Sequence, residues 1–198
     1  MPTPWTDSIK RGGVLHVHPA SSIGHGAWRA VFNQAIREFN RLSGAKALGV
    51  TLQIARHAAD AEVIVEAQGR SIDRTYEGAR IQQSFSGTRL HGFTAQASRE
   101  GHIEKAFVFL PSTPQVNTPR GQREAGPGVK LVIAVHEFVH ACGLSNADHS
   151  NDDLFLGYPT VDAGSRPDQD RVRVTYSVIM PPLVLATGTV AKIRQIWG

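Results

Sequence analysis

Val135-His136-Glu137-Phe138-Val139-His140-Ala141-Cys142-Gly143-Leu144 carries the pattern H-E-x-x-H on a segment with helical spacing. Two histidines four residues apart project from one face of a helix. Their imidazole nitrogens can hold one Zn²⁺ between them, with Glu137 beside the metal as a general base. Chance supplies this pattern about once in a hundred sequences of this length and His/Glu content, so the surroundings decide. Leu131, Val132, Ile133, Val135, Phe138 and Val139 are distributed around the whole helix, which therefore belongs inside the core. A polar trio in a buried helix is costly unless something pairs it, and metal ligation supplies a partner. Gly143 can adopt a left-handed conformation, end the helix over Val129 to Cys142, and turn the chain back towards the metal.

Two further stretches lie downstream, Asp148-His149-Ser150 and Val178-Ile179-Met180-Pro181. H-E-F-x-H-A-x-G-L followed by D-H-S resembles the helix and third-ligand region of the matrixins, within the metzincin zinc metallopeptidases. The resemblance implies a third histidine three residues after the glycine, where this chain has Asn146. Here D-H-S follows after three extra residues, so the third ligand is carried onto His149, with Asp148 as the alternative. V-I-M-P is similar to the family's methionine turn, which implies that Met180 lies beneath the zinc histidines. Some 30 residues separate His149 from Met180, more than in matrixins. Pro181-Pro182 also removes a tyrosine that some metzincins carry two residues after the methionine, and Tyr158 or Tyr176 are the candidates to replace it. The ending Ile193-Arg194-Gln195-Ile196-Trp197-Gly198 is similar to the last helix of matrixin catalytic domains. The fold implied is α/β (α+β): a twisted mixed sheet over a buried zinc helix, with an active-site cleft along one edge strand.

With 198 residues, 41% hydrophobic and 19% charged, the chain is expected to form a single globular domain over residues 1–198. No apolar run approaches the roughly 20 residues that span a bilayer, so no membrane partner is expected. Met1-Pro2-Thr3-Pro4-Trp5 shows no basic segment leading into an apolar core, so no secretory signal is read there, and the compartment stays open between cytoplasm and non-classical export. The net charge of +4 and pI near 9.6 come without a Lys/Arg block, which argues against nucleic acid. The lone Cys142 rules out an intramolecular disulfide and leaves no cysteine in the N-terminal half to plug a zinc site; inside its helix it is expected to be an inert buried thiol.

Residues 1–13 read as an extended arm ending at Gly12-Gly13, and Val14 to His18 as a strand. Trp28, Phe32, Ala35, Phe39 and Leu42 share one face of a helix over 27–42, stopped by Ser43-Gly44. Val50, Leu52 and Ile54 alternate along one strand, and Ala61 to Val65 form another. Residues 66–88 and 111–128 read as surface loops. Strands are expected over 90–97 and 103–110, a short alternating run over 172–176, and a final helix with Thr187 or Thr189 as N-cap.

The H-E-x-x-H motif and the metzincin resemblance together imply a zinc-dependent endopeptidase with one catalytic Zn²⁺, held by His136, His140 and, as the resemblance implies, His149, and Glu137 as the base that activates water. The partner is a protein or peptide substrate, pairing with the edge strand at 90–97, and a monomer is expected. The alternative is a non-catalytic zinc-containing binding or structural domain of a larger assembly. Asp162, Gly164, Asp168 and Asp170 form a weaker, oxygen-rich Ca²⁺ candidate. The remaining histidines, His16, His18, His25, His57, His91 and His102, show no ligand spacing.

Overall fold

A computed structural model describes residues 2–76, 78–148, 155, 159–174 and 178–198. The chain begins with a short helix, α1 (Asp7–Gly12), and not with the extended arm expected over 1–13. Gly13 is the reason. It is not a simple break but takes a left-handed φ of 61° and closes the helix, its amide bonding to the Ile9 and Lys10 carbonyls. Ahead of α1, Trp5 is fully buried and bridges to Ile103.

Next come β1 (Val14–Pro19), the short α2 (Ser21–His25) and the long α3 (Arg29–Lys46). Val31, Phe32, Ala35, Ile36, Phe39 and Leu42 form the buried face of α3. The helix runs past the expected stop at Ser43-Gly44, because the Ser43 hydroxyl donates to the Val50 carbonyl instead of competing for its own backbone. Ala47, at φ 46°, closes it. Then come β2 (Thr51–Ile54) and β3 (Val63–Gln68).

The two expected loops each contain a hairpin. β4 (Ile72–Tyr76) pairs with β5 (Ala79–Gln83) inside the 66–88 stretch. Ion pairs mask its alternation in the sequence: Arg80 joins Asp73, and Arg74 reaches Glu66 on β3. Among the described side chains of the two strands, Ile72 and Ile81 are buried and Tyr76 is half-buried against Phe107. After β6 (Phe93–Arg99) and β7 (His102–Pro111), β8 (Gln115–Thr118) pairs with β9 (Gly121–Glu124) within the expected 111–128 loop. Its residues are mostly polar and outward-facing, so no apolar period announced it.

The central helix is α4 (Pro127–Ala141). A three-stranded antiparallel sheet of β10 (Thr160–Asp162), β11 (Arg171–Arg173) and β12 (Ile179–Met180) follows, and α5 (Thr187–Trp197) ends the chain. The N-cap of α5 is Ala186 with no side-chain cap bond, so neither Thr187 nor Thr189 caps it; Thr189 is instead fully buried within the helix.

The main sheet has five strands in the order β2-β1-β3-β7-β6. The first four run parallel and β6 runs antiparallel at the edge. The fold is thus mixed α/β, with a mixed sheet and helices. Strand alternation divides the core into two layers. Ala106, Val108 and Leu110 of β7 join α3 and α4 in the main cluster, whereas Phe107 and Phe109 face the β4–β5 hairpin in a second one. Phe138 of α4 sits edge-on to both Phe32 and Phe39 of α3, with ring centroids 6.3 and 6.4 Å apart. Aromatic pairs of this kind each add about 0.5–1.5 kcal/mol beyond burial, so α3 fixes α4 against the sheet. Among the described residues no helix is long and apolar enough to cross a membrane.

Candidate metal centre and cleft

Every residue of α4 except Pro127 at its start and His136 is buried. His136 is half-buried, the one point past the first turn where this helix opens to solvent. It opens onto a cleft of about 1240 Å³, lined by His136, Glu137 and His140 together with strand β6. Ile81 of the hairpin, Phe155 and Val172 of β11 complete its walls.

The Nε2 atoms of His136 and His140 are 3.1 Å apart. Two imidazole nitrogens roughly 2.0–2.1 Å from one tetrahedral Zn²⁺ would be roughly 3.3–3.4 Å apart, so the pair fits such an ion after a shift of a few tenths of an ångström. Without a metal, the same distance fits an N–H···N bond from His136 to His140. The Nδ1 of His140 lies 2.8 Å from the Leu144 carbonyl oxygen. A carbonyl only accepts, so Nδ1 carries the proton and Nε2 keeps its lone pair for a ligand. Gly143 makes this contact possible. At φ 115° it swings the chain back, and an added Cβ would meet the Thr3 carbonyl oxygen at 2.4 Å.

Glu137 is almost completely buried. Its Oε2 accepts from the Thr94 hydroxyl at 2.7 Å, and the Gly92 amide donates to the same carboxyl. Burial pushes the carboxyl up to about 7 despite these two donors. A carboxyl balanced near neutrality can take and return a proton. Gly92 is also required sterically: a Cβ there would lie 2.6 Å from Glu137 Cγ and 2.7 Å from the Phe109 carbonyl oxygen.

Of the other sequence candidates, His149 lies outside the described residues, as do Tyr158 and Tyr176. Asp148, the alternative third ligand, turns elsewhere: its Oδ2 accepts from the Ser145 amide at 2.8 Å and the Ser145 hydroxyl at 2.7 Å. Burial alone would raise this carboxyl, but these bonds together with the positive charge of the chain's N-terminal amine outweigh it and hold it below the usual range. Among the described residues no third His, Cys, Asp or Glu joins His136 and His140 in a metal-holding group. Asn146 is exposed on the cleft lining. Met180 is fully buried in the main core, and β12 pairs it with the cleft-lining Val172. Cys142 is buried just beyond the last turn of α4, and burial raises its thiol far above the usual range.

The Ca²⁺ candidate is occupied by cations of the chain itself. Asp162 pairs with Arg173, Asp168 with Arg166, and the fully buried Asp170 with Arg123. Asp170 also accepts from the Gly126 and Gly164 amides, so it ties the start of α4 to the β10–β11 loop rather than presenting free oxygens.

Sequence reasoning missed Gly92, Thr94 and Gln96. Thr94 and Gln96 lie on the face of β6 turned to α4, with Gly92 just ahead of the strand in the same alternation, while Phe93, Ala95 and Ala97 pack on the opposite side. A strand whose polar residues face a buried helix reverses the usual pattern, and that reversal was the available signal. No protein-family model matches this chain, and no curated protein resembles it closely enough in sequence to count as a match.

Proposed function

We propose that this chain is a zinc-dependent endopeptidase of the metzincin type, similar to matrixin catalytic domains. The observation that carries the reading is the Nε2–Nε2 separation of 3.1 Å at His136 and His140, next to a buried Glu137, on the floor of an open cleft. The imidazoles of His136 and His140 would hold the zinc, with His149 as the third ligand and Met180 as the methionine of the family's turn. When bound, zinc polarises a carbonyl and acidifies water.

Glu137 takes the proton of the attacking water and returns it to the leaving amine. The Thr94 hydroxyl and Gly92 amide hold its carboxyl in place while the proton moves. The antiparallel edge strand β6, lining the cleft, offers backbone groups to an extended peptide. The shared wall of β6 and the β5 side of the hairpin keeps that peptide over the two histidines.

The test combines metal analysis with cleavage of a peptide library by wild type and Glu137→Ala. One zinc per chain in both proteins is expected, with turnover about 10²–10⁴-fold lower in the variant. Equal turnover would show that another group activates water. Zinc without cleavage in either protein would indicate a structural metal domain.

A further inference from the structure

The last turn of a helix leaves carbonyls without intrahelical partners. At the end of α4 each of four successive carbonyls meets a donor from a different place. Gln96 Nε2 donates to His140 O at 2.7 Å, Trp5 Nε1 to Ala141 O at 2.9 Å, Trp197 Nε1 to Cys142 O at 2.8 Å, and the Thr3 amide to Gly143 O at 2.9 Å. The two tryptophans each satisfy one carbonyl and reach no further. Gln96 differs. The same amide nitrogen also lies 3.3 Å from Leu144 O, the atom that receives the His140 Nδ1 proton. An NH₂ group has two hydrogens, one for each carbonyl.

We propose that Gln96 is a positioning residue for the metal-binding face of α4: its amide clamps the Gly143 turn so that the Leu144 carbonyl stays on the His140 ring. The inference rests on the zinc reading of His136 and His140 for its functional meaning, but not for its geometry. Gly143, at φ 115°, is the pivot of this turn. A clamp across it joins the end of the helix to Leu144. Without Gln96, His140 O retains the Gly143 amide at 3.0 Å, so the helix end is still satisfied. Among the described residues Leu144 O would then have the imidazole as its one remaining partner, and the Gly143 turn could carry the carbonyl off the ring. The ring then loses its fixed tautomer and its aim, the usual consequence of removing an outer partner of a metal-ligating histidine. Placement on β6 adds a coupling. Thr94 holds Glu137 and Gln96 holds His140, two positions apart on one strand, so edge strand and helix keep base and ligand in common register.

The test uses the full chain with Gln96→Met, which keeps length and bulk but removes both donors. Two quantities are read: zinc affinity by chelator competition, and the His140 tautomer by ring-nitrogen NMR of the metal-free protein. Expected are a zinc affinity about 10- to 100-fold weaker and a mixed tautomer in place of the Nδ1–H form, with circular dichroism unchanged. Gln96→Glu, which puts acceptors against the two carbonyls, should shift both quantities the same way and serves if the Met variant does not fold. An unchanged tautomer overturns the proposal, whether zinc affinity is kept or falls only together with stability. If wild type binds no zinc, the metal reading fails, and the tautomer alone decides the clamp.

Discussion

The substitution Glu137→Gln in the metal-free protein should remove a pH-dependent cost that the fold imposes on itself. The Glu137 carboxyl is displaced upward from 4.5 to about 7 by burial, which corresponds to about 3 kcal/mol against the charged form. For an acid raised in this way, the folded state holds a proton that the unfolded state has released between those two values. Stability therefore falls as pH rises from 4.5 through about 7 and levels off above. About 2.5 kcal/mol of that loss falls between about pH 5 and about pH 8. The substituted glutamine does not titrate, and whatever its amide gains or loses against Thr94 and Gly92 is the same at both pH values. Urea unfolding of both proteins in a chelator at the two pH values gives the double difference, in which the remaining titrating groups cancel. The variant should gain about 2.5 kcal/mol relative to wild type on going to the higher pH. An equal gap at both pH values would refute the burial argument for Glu137, and with it the account of a carboxyl balanced near neutrality.

Three further outcomes are expected, the first from the proposed ligand set and the other two from the geometry. On the proposed ligand set, His149→Ala should lower zinc affinity by more than about tenfold without loss of fold, as removal of a direct ligand must at least match the roughly 10- to 100-fold effect of an outer partner; retained affinity in a chelator titration would move the third ligand elsewhere. Gly92→Ala should displace Glu137 and the Phe109 carbonyl and cost about 1–3 kcal/mol, with peptide turnover falling further than the stability loss explains, read by urea unfolding alongside an activity assay. Asp170→Ala should cost about 3 kcal/mol near neutrality, since it strips a buried carboxylate from Arg123 and two amides. Burial raises the Asp170 carboxyl, but Arg123 and the amides of Gly126 and Gly164 outweigh it and hold it below its usual value. Its contribution is present above the usual carboxylate range and is lost as pH falls through the lowered value, so the gap to wild type should close in acid unfolding curves.

How much the sequence determined on its own follows from which distances are local. The four-residue spacing of His136 and His140 is one helical turn, so the sequence places both on one side of α4 whatever surrounds it. The apolar residues around that helix, the buried face of α3 and the strands β1, β3 and β7 were legible for the same reason: their periods repeat within a few residues. Gly143 could be read as a turn because only a glycine accepts that φ without strain. The hairpins β4–β5 and β8–β9 were not legible, because their pairing is carried mostly by charged and polar residues that leave no sustained apolar alternation. Nor was the helix within the supposed N-terminal arm, whose closing glycine looks the same in sequence as a break. Tertiary structure alone decided which residues outside the helix and its Gly143 turn touch Glu137 and His140. Thr94 and Gln96 lie 43 and 44 residues away in sequence, and they reach the helix because β6 doubles back beside β7 at the sheet edge. That placement depends on strand order, which no local period encodes. It sets the burial that raises the Glu137 carboxyl and brings the Gln96 amide to the His140 and Leu144 carbonyls. The sequence supplied His136, Glu137 and His140 on one helix, and the packing of one edge strand against that helix decided the burial and hydrogen bonding of Glu137.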